Sequence, residues 1–82
     1  MPRQPNRRDV IRALVAAGFV FTPGRGRGGH DKWQLGRYTV MVPRHRNEVR
    51  PGTFTSIRRQ AGGWSTAKFW WYADGMRGSE PD

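Results

Sequence analysis

Apolar side chains at Val10, Ile11, Leu14, Val15 and Ala17 recur at helical spacing, while Arg7, Arg8 and Arg12 fall on the wetter side. Asn6 is a good N-cap, and Asp9, three residues on, can turn its carboxylate toward the unpaired amides of a first helical turn. With Gly18 as a C-terminal stop, the pattern predicts a helix over about residues 7–17. Phe19-Val20-Phe21-Thr22 is rich in β-formers and is ended by Pro23-Gly24, so it reads as a short strand. After a glycine-rich loop, Trp33 and Leu35 lie two apart, and Gly36-Arg37 makes a tight turn into Tyr38-Thr39-Val40-Met41-Val42. That is a hairpin, and Pro43 ends it because proline cannot donate to a ladder.

Pro51 suits the first turn of a second helix, in which Phe54, Ile57 and Ala61 recur on one face before Gly62-Gly63 closes it. Ser65 can cap a further short helix carrying Phe69, Trp70, Tyr72 and Ala73. The expected order is α-β-β-β-α with a short third helix, an α+β arrangement. Residues 1–74 read as one domain and the polar residues 75–82 as a flexible tail. At 82 residues there is room for one modest core, which excludes two independent domains.

Composition turns this small fold toward polyanions. Fifteen Lys and Arg against six Asp and Glu give a net charge of +9, and 13 of the cations are Arg, whose planar fork suits phosphate oxygens and stacks on bases. Nucleic acid leads the candidate partners; an acidic protein would suit the same surface. The absence of cysteine removes disulfides, thiolate nucleophiles and Cys-based zinc sites together. The carboxylates form no metal-ligand spacing and only two histidines are present, so neither a metal nor another cofactor is expected. No run approaches the roughly 20 apolar residues that span a bilayer, so no membrane role is expected. Arg7-Arg8 is a poor export signal because the apolar stretch after it is short and broken by Arg12; a cytoplasmic protein is expected.

The candidate chemistry lies in the loop and the strand after it. Gly24-Arg25-Gly26-Arg27-Gly28-Gly29 has the spacing of a dinucleotide-binding loop, but that motif requires a helix behind it and here a strand follows. A phosphate grip remains: Gly28 and Gly29 expose backbone N–H groups, and Arg25, Arg27 and Lys32 add charge. The bland alternative is a flexible connection with solvated arginines. His30 follows the loop, and an imidazole beside a bound phosphate can move protons while RNA supplies its own nucleophile, the 2′-hydroxyl. Taken alone, a histidine in such a place is more often a surface or hydrogen-bonding residue. His45, in Pro43-Arg44-His45-Arg46, reads as a residue that holds its turn, with Arg44 a further RNA-binding candidate. Of the four tryptophans, Trp33 is expected to cover the sheet, whereas Trp70-Trp71-Tyr72 cannot all point inward from one helix. Part of that cluster is therefore expected at the surface, as a protein or dimer contact.

Three stretches carry a family resemblance: Asp9-Val10-Ile11 through Ala17-Gly18-Phe19; Gly28-Gly29-His30; and Val42-Pro43-Arg44-His45-Arg46-Asn47-Glu48-Val49-Arg50-Pro51-Gly52-Thr53, running on to Ile57 and Gln60-Ala61-Gly62. Over about Arg8 to Phe69 the chain resembles the HicA-type toxins of bacterial toxin–antitoxin systems, small messenger-RNA-cleaving enzymes. The resemblance implies a double-stranded-RNA-binding-domain-like fold, with helices packed on one face of a three-stranded antiparallel sheet. It implies catalysis by His30, which stands where the family's Gly-Ser-His motif ends, with Gly29 in the place of the serine. It also implies a cognate HicB-type antitoxin that covers the active site, with operator DNA bound only indirectly, through that antitoxin. Two other readings stay open on the residues themselves: a non-catalytic RNA-binding module, and a basic interaction subunit for an acidic antitoxin.

Overall fold

The computed structural model describes residues 3–23 and 28–81. Its elements are α1 (Arg7–Ala17), β1 (Val20–Thr22), β2 (His30–Leu35), β3 (Tyr38–Pro43), α2 (Pro51–Gln60) and α3 (Thr66–Ala73). The predicted α+β order with a third, C-terminal helix is the one observed.

Local chemistry explains the boundaries. Asn6 and Asp9 form a reciprocal capping box: the Asp9 amide donates to Asn6 Oδ1 at 2.9 Å, and the Asn6 amide donates to Asp9 Oδ2 at 3.0 Å. Each bond satisfies an amide that the helix start would leave unpaired. At the other end Gly18 takes φ +103°, a conformation that a side chain disfavours, and the Phe19 amide returns to the Leu14 carbonyl at 2.8 Å. Ser65 caps α3 by accepting the Lys68 amide at 3.0 Å.

The three strands form an antiparallel sheet in the order β1-β2-β3. Alternation along β2 sends Asp31 and Trp33 to the buried side and His30 and Lys32 to the exposed one. Trp33 pairs with Phe21 on one neighbour and Val40 on the other, and Val40 and Val42 continue the buried face. Val10, Ala13 and Leu14 of α1 join this core with Phe69, Trp70 and Ala73 of α3. α2 lies alongside β3, directing Phe54 and Ile57 into the same core.

The aromatic cluster is more deeply built into the fold than its sequence suggests. Phe69 is fully buried between Phe54, at 4.8 Å between ring centroids, and Trp70, at 4.9 Å. Trp70 is buried, with the Arg3 guanidinium lying 3.6 Å from its ring centroid, and Trp64 is buried against Tyr72. Trp71 and Tyr72 are half-buried. Trp71 keeps part of its ring at the surface, as expected for one member of the cluster, and the chain returning along α3 after Asp74 covers the rest: the indole N–H donates to the Gly78 carbonyl at 3.2 Å, and Lys68 pairs with Glu80 at 3.1 Å.

Candidate active site beside the β3–α2 seam

His30 opens β2 opposite Pro43, and its side chain is exposed. Gly28, at φ +59°, makes the turn into the strand, and the His30 amide donates back to the Gly28 carbonyl at 3.0 Å. The site residue is therefore placed by backbone geometry on one side and a strand ladder on the other.

Behind His30 lies a charged brace. Asp31, buried on the opposite face, accepts Arg44 Nε on Oδ1 at 2.9 Å and Arg7 Nη2 on Oδ2 at 2.6 Å. The same two arginines bind the strand ends: Arg7 Nε donates to the Pro43 carbonyl at 2.9 Å, and Arg44 Nη2 donates to the His30 carbonyl at 3.3 Å. Burial pushes the Asp31 carboxyl up, but the hydrogen bonds from Arg44 and Arg7 outweigh it and hold the group below the ordinary carboxylate range. Asp31 thus stays ionised and ties α1, β2 and the segment after β3 to the backbone that carries His30.

Two clefts meet at the His30 imidazole. One, of about 520 Å³, runs between β3 and α2 past Met41, Thr53, Ser56 and Gln60. The other, of about 490 Å³, runs past Gly29, His45, Arg46 and Glu48. Pro43, Arg50 and Thr53 line both. α2 starts at this junction with Pro51 in its first turn and no side-chain cap from Arg50. Its positive end, with Arg50 and Arg46 nearby, favours an anion here. Among the described residues no group of three or more His, Asp or Glu is arranged to hold a metal ion.

Of the residues singled out from sequence, Gly29, His30 and His45 come together, and a Cβ built on Gly29 lies 3.7 Å from His45 Cδ2. Lys32 is exposed on the same sheet face as His30. Arg44 is half-exposed but partly committed to Asp31 and the His30 carbonyl, so it acts as a brace with donors to spare. Arg25 and Arg27 lie outside the described residues. Sequence reasoning passed over Asp31, Arg50, Thr53 and Gln60 as site residues. A charged residue at an inward position of a strand is the signal that marks Asp31.

An antiparallel α+β domain with an exposed histidine at the junction of two clefts defines the architecture of this small, basic protein. The family model described as the HicA toxin of bacterial toxin-antitoxin matches residues 7–62, and the chain belongs to that family. It is a toxin of the toxin–antitoxin type, and membership implies a cognate antitoxin. The match ends at Gly62, before α3 begins. No curated protein matches the chain. No helix among the described residues is long and apolar enough to cross a membrane.

Proposed function

We propose that this toxin is a metal-independent endoribonuclease that cleaves messenger RNA in the cytoplasm, with His30 as its general acid–base. The observation that carries the proposal is the exposed His30 imidazole at the junction of two clefts, with Arg50 lining both and Arg46 one of them. Arg46, Arg50 and Lys32, with Arg25 and Arg27 of the glycine-rich loop and the backbone at Gly28 and Gly29, hold the phosphates. Arg44 lends its remaining donors. His30 takes the proton from a 2′-hydroxyl; the 2′-oxygen bonds to the adjacent phosphorus; the P–O5′ bond breaks, and the leaving 5′-oxygen takes up a proton. The products are a 2′,3′-cyclic phosphate and a 5′-hydroxyl end. His45 packs beside Gly29 as a structural neighbour. The partner is a HicB-type antitoxin that covers the two clefts and brings the complex to operator DNA.

The test is cleavage of end-labelled RNA in EDTA by the parent protein and by His30→Ala. Losing a general acid–base typically costs about 10²–10⁴-fold in rate. His30→Ala should lose that much cleavage and its growth arrest while keeping its fold and RNA affinity. Equal cleavage by parent and variant sinks the proposal, and RNA binding by the parent without cleavage moves the assignment to a non-catalytic RNA-binding module.

A further inference from the structure

The two clefts that meet at His30 differ in chemistry. The one past His45 sets two arginines, Arg46 and Arg50, against one carboxylate, Glu48, and suits phosphate; the one between β3 and α2 is lined, away from His30 and Arg50, by hydroxyl, amide and apolar groups. At about 520 Å³ it falls in the range of small-molecule sites, which runs roughly from 300 to 1,000 Å³. Met41, Pro43 and Ile57 give it an apolar floor. Thr53, Ser56 and Gln60 follow one another at i, i+3 and i+7, so α2 presents them as a polar stripe along the cleft.

Gln60 is held in one orientation. Its Oε1 accepts the Met41 backbone N–H at 2.9 Å. Because a backbone amide can only donate, the carbonyl end of the side chain must face the strand. The Nε2 amide, which has no partner among the described residues, is the end left for the cleft that Gln60 lines. A donor fixed over an apolar floor distinguishes bases. Guanine and uracil present keto oxygens where adenine and cytosine present exocyclic amino groups, which are donors and would face another donor.

We infer that the β3–α2 cleft is a nucleobase subsite next to the scissile phosphate, and that Gln60 selects a keto base, guanine or uracil, over an amino base. This rests on the ribonuclease reading of His30. One well-placed polar contact of this kind corresponds to about tenfold discrimination.

A random-sequence single-stranded RNA pool, cleaved by the parent protein and sequenced at the cut ends, measures the preference directly. The expected result is about tenfold enrichment of guanine plus uracil over adenine plus cytosine at one position flanking the cut. Gln60→Glu is the decisive variant, because one carboxylate oxygen can still accept the Met41 amide while the other offers an acceptor where the parent offers a donor. It should move the enrichment to adenine and cytosine, whatever it does to the overall rate. Circular dichroism identifies folded variant, and Gln60→Ala, which should flatten the profile, covers a misfolded Gln60→Glu. A flat parental profile, or a folded Gln60→Glu with the parental preference, overturns the subsite while leaving His30 catalysis standing. Absence of any His30-dependent cleavage overturns both.

Discussion

On one side of the sheet, Trp33, Val40 and Val42 share a single core with buried side chains of α1, α2 and α3; at its β3 edge, the sheet and α2 leave room for two clefts that share His30. The packed region is rich in aromatic rings, with Phe69 fully enclosed, whereas the seam mixes arginine, histidine, hydroxyl and amide groups and Glu48 with the apolar Met41, Pro43 and Ile57. Both are served by the same strand. β2 sends alternate residues to the two sides, so the packing that fixes Trp33 and Asp31 also fixes the strand end from which His30 projects. The packed side carries the apolar core, and the seam carries the clefts on which the proposed chemistry rests.

The largest effect expected from separating these tasks is on stability. Phe69→Ala removes a ring with zero exposure that touches rings on two helices, and such truncations cost about 3–5 kcal/mol. For a domain of this size that is a large fraction of the total. Urea or thermal unfolding should show it directly, while RNA cleavage per folded molecule in mild conditions should stay near the parental value. Cleavage that falls far more than the folded fraction would mean that α3 shapes the seam, although it begins beyond the family match.

Asp31 is the link between the two regions, and its removal should have an intermediate effect. Asp31→Asn keeps the shape but offers one acceptor to two arginines, leaving one of them poorly paired. Hydrogen bonds to charged groups contribute roughly 1.5–3 kcal/mol, so a loss of about 2 kcal/mol is expected. The pH dependence has a definite sign. Because the folded-state pKa is depressed, the contribution of Asp31 is fully present above the unfolded carboxylate value of about 3.9 and is lost as pH falls through the lower folded value. Unfolding of the parent should therefore steepen on acidification below about pH 4, and Asp31→Asn should lack part of that steepening; identical acid profiles would show that the carboxylate is not holding the arginines in solution. Asp74, whose hydrogen bond from Arg3 also lowers its pKa, accounts for part of the acid sensitivity that remains.

How much of this could be read from the chain follows from how local each feature is. The Asn6–Asp9 capping box, the Gly18 stop, the Gly36-Arg37 turn and the Ser65 cap each depend on residues a few positions apart, and periodicity exposed them. The position of His30 at a strand start after a glycine turn was equally local, and the family motif marked it out from His45. Arg7 and Arg44 converge on Asp31 from 24 and 13 positions away, and Gln60 reaches Met41 across 19. Such pairings depend on how the helices come to rest on the sheet, which no local pattern specifies. The aromatic segment lay between these cases: the cap and the apolar run revealed a helix, but the cover over Trp71 is supplied by Gly78 and the returning chain.

The smallest change tests how tightly the seam is built around its histidine. Gly29 stands where the family resemblance expects serine, immediately before His30. Its φ lies outside the left-handed region, and an added Cβ would sit 3.7 Å from His45 Cδ2, an ordinary van der Waals contact. A side chain can therefore enter without moving the backbone, in contrast to Gly62, where φ is +119° and the Cβ would press to 3.4 Å of the Tyr38 ring. Gly29→Ser should change stability by no more than about 0.5 kcal/mol, the usual range for a tolerated surface substitution. It adds a hydroxyl, both donor and acceptor, in the cationic cleft that contains His30 and His45. Cleavage should be retained or raised, measured as the initial rate on one RNA at saturating protein. A loss of cleavage in a fully folded Gly29→Ser would show that this toxin needs the bare backbone at residue 29 for close approach of phosphate, and would make the glycine a binding feature in its own right.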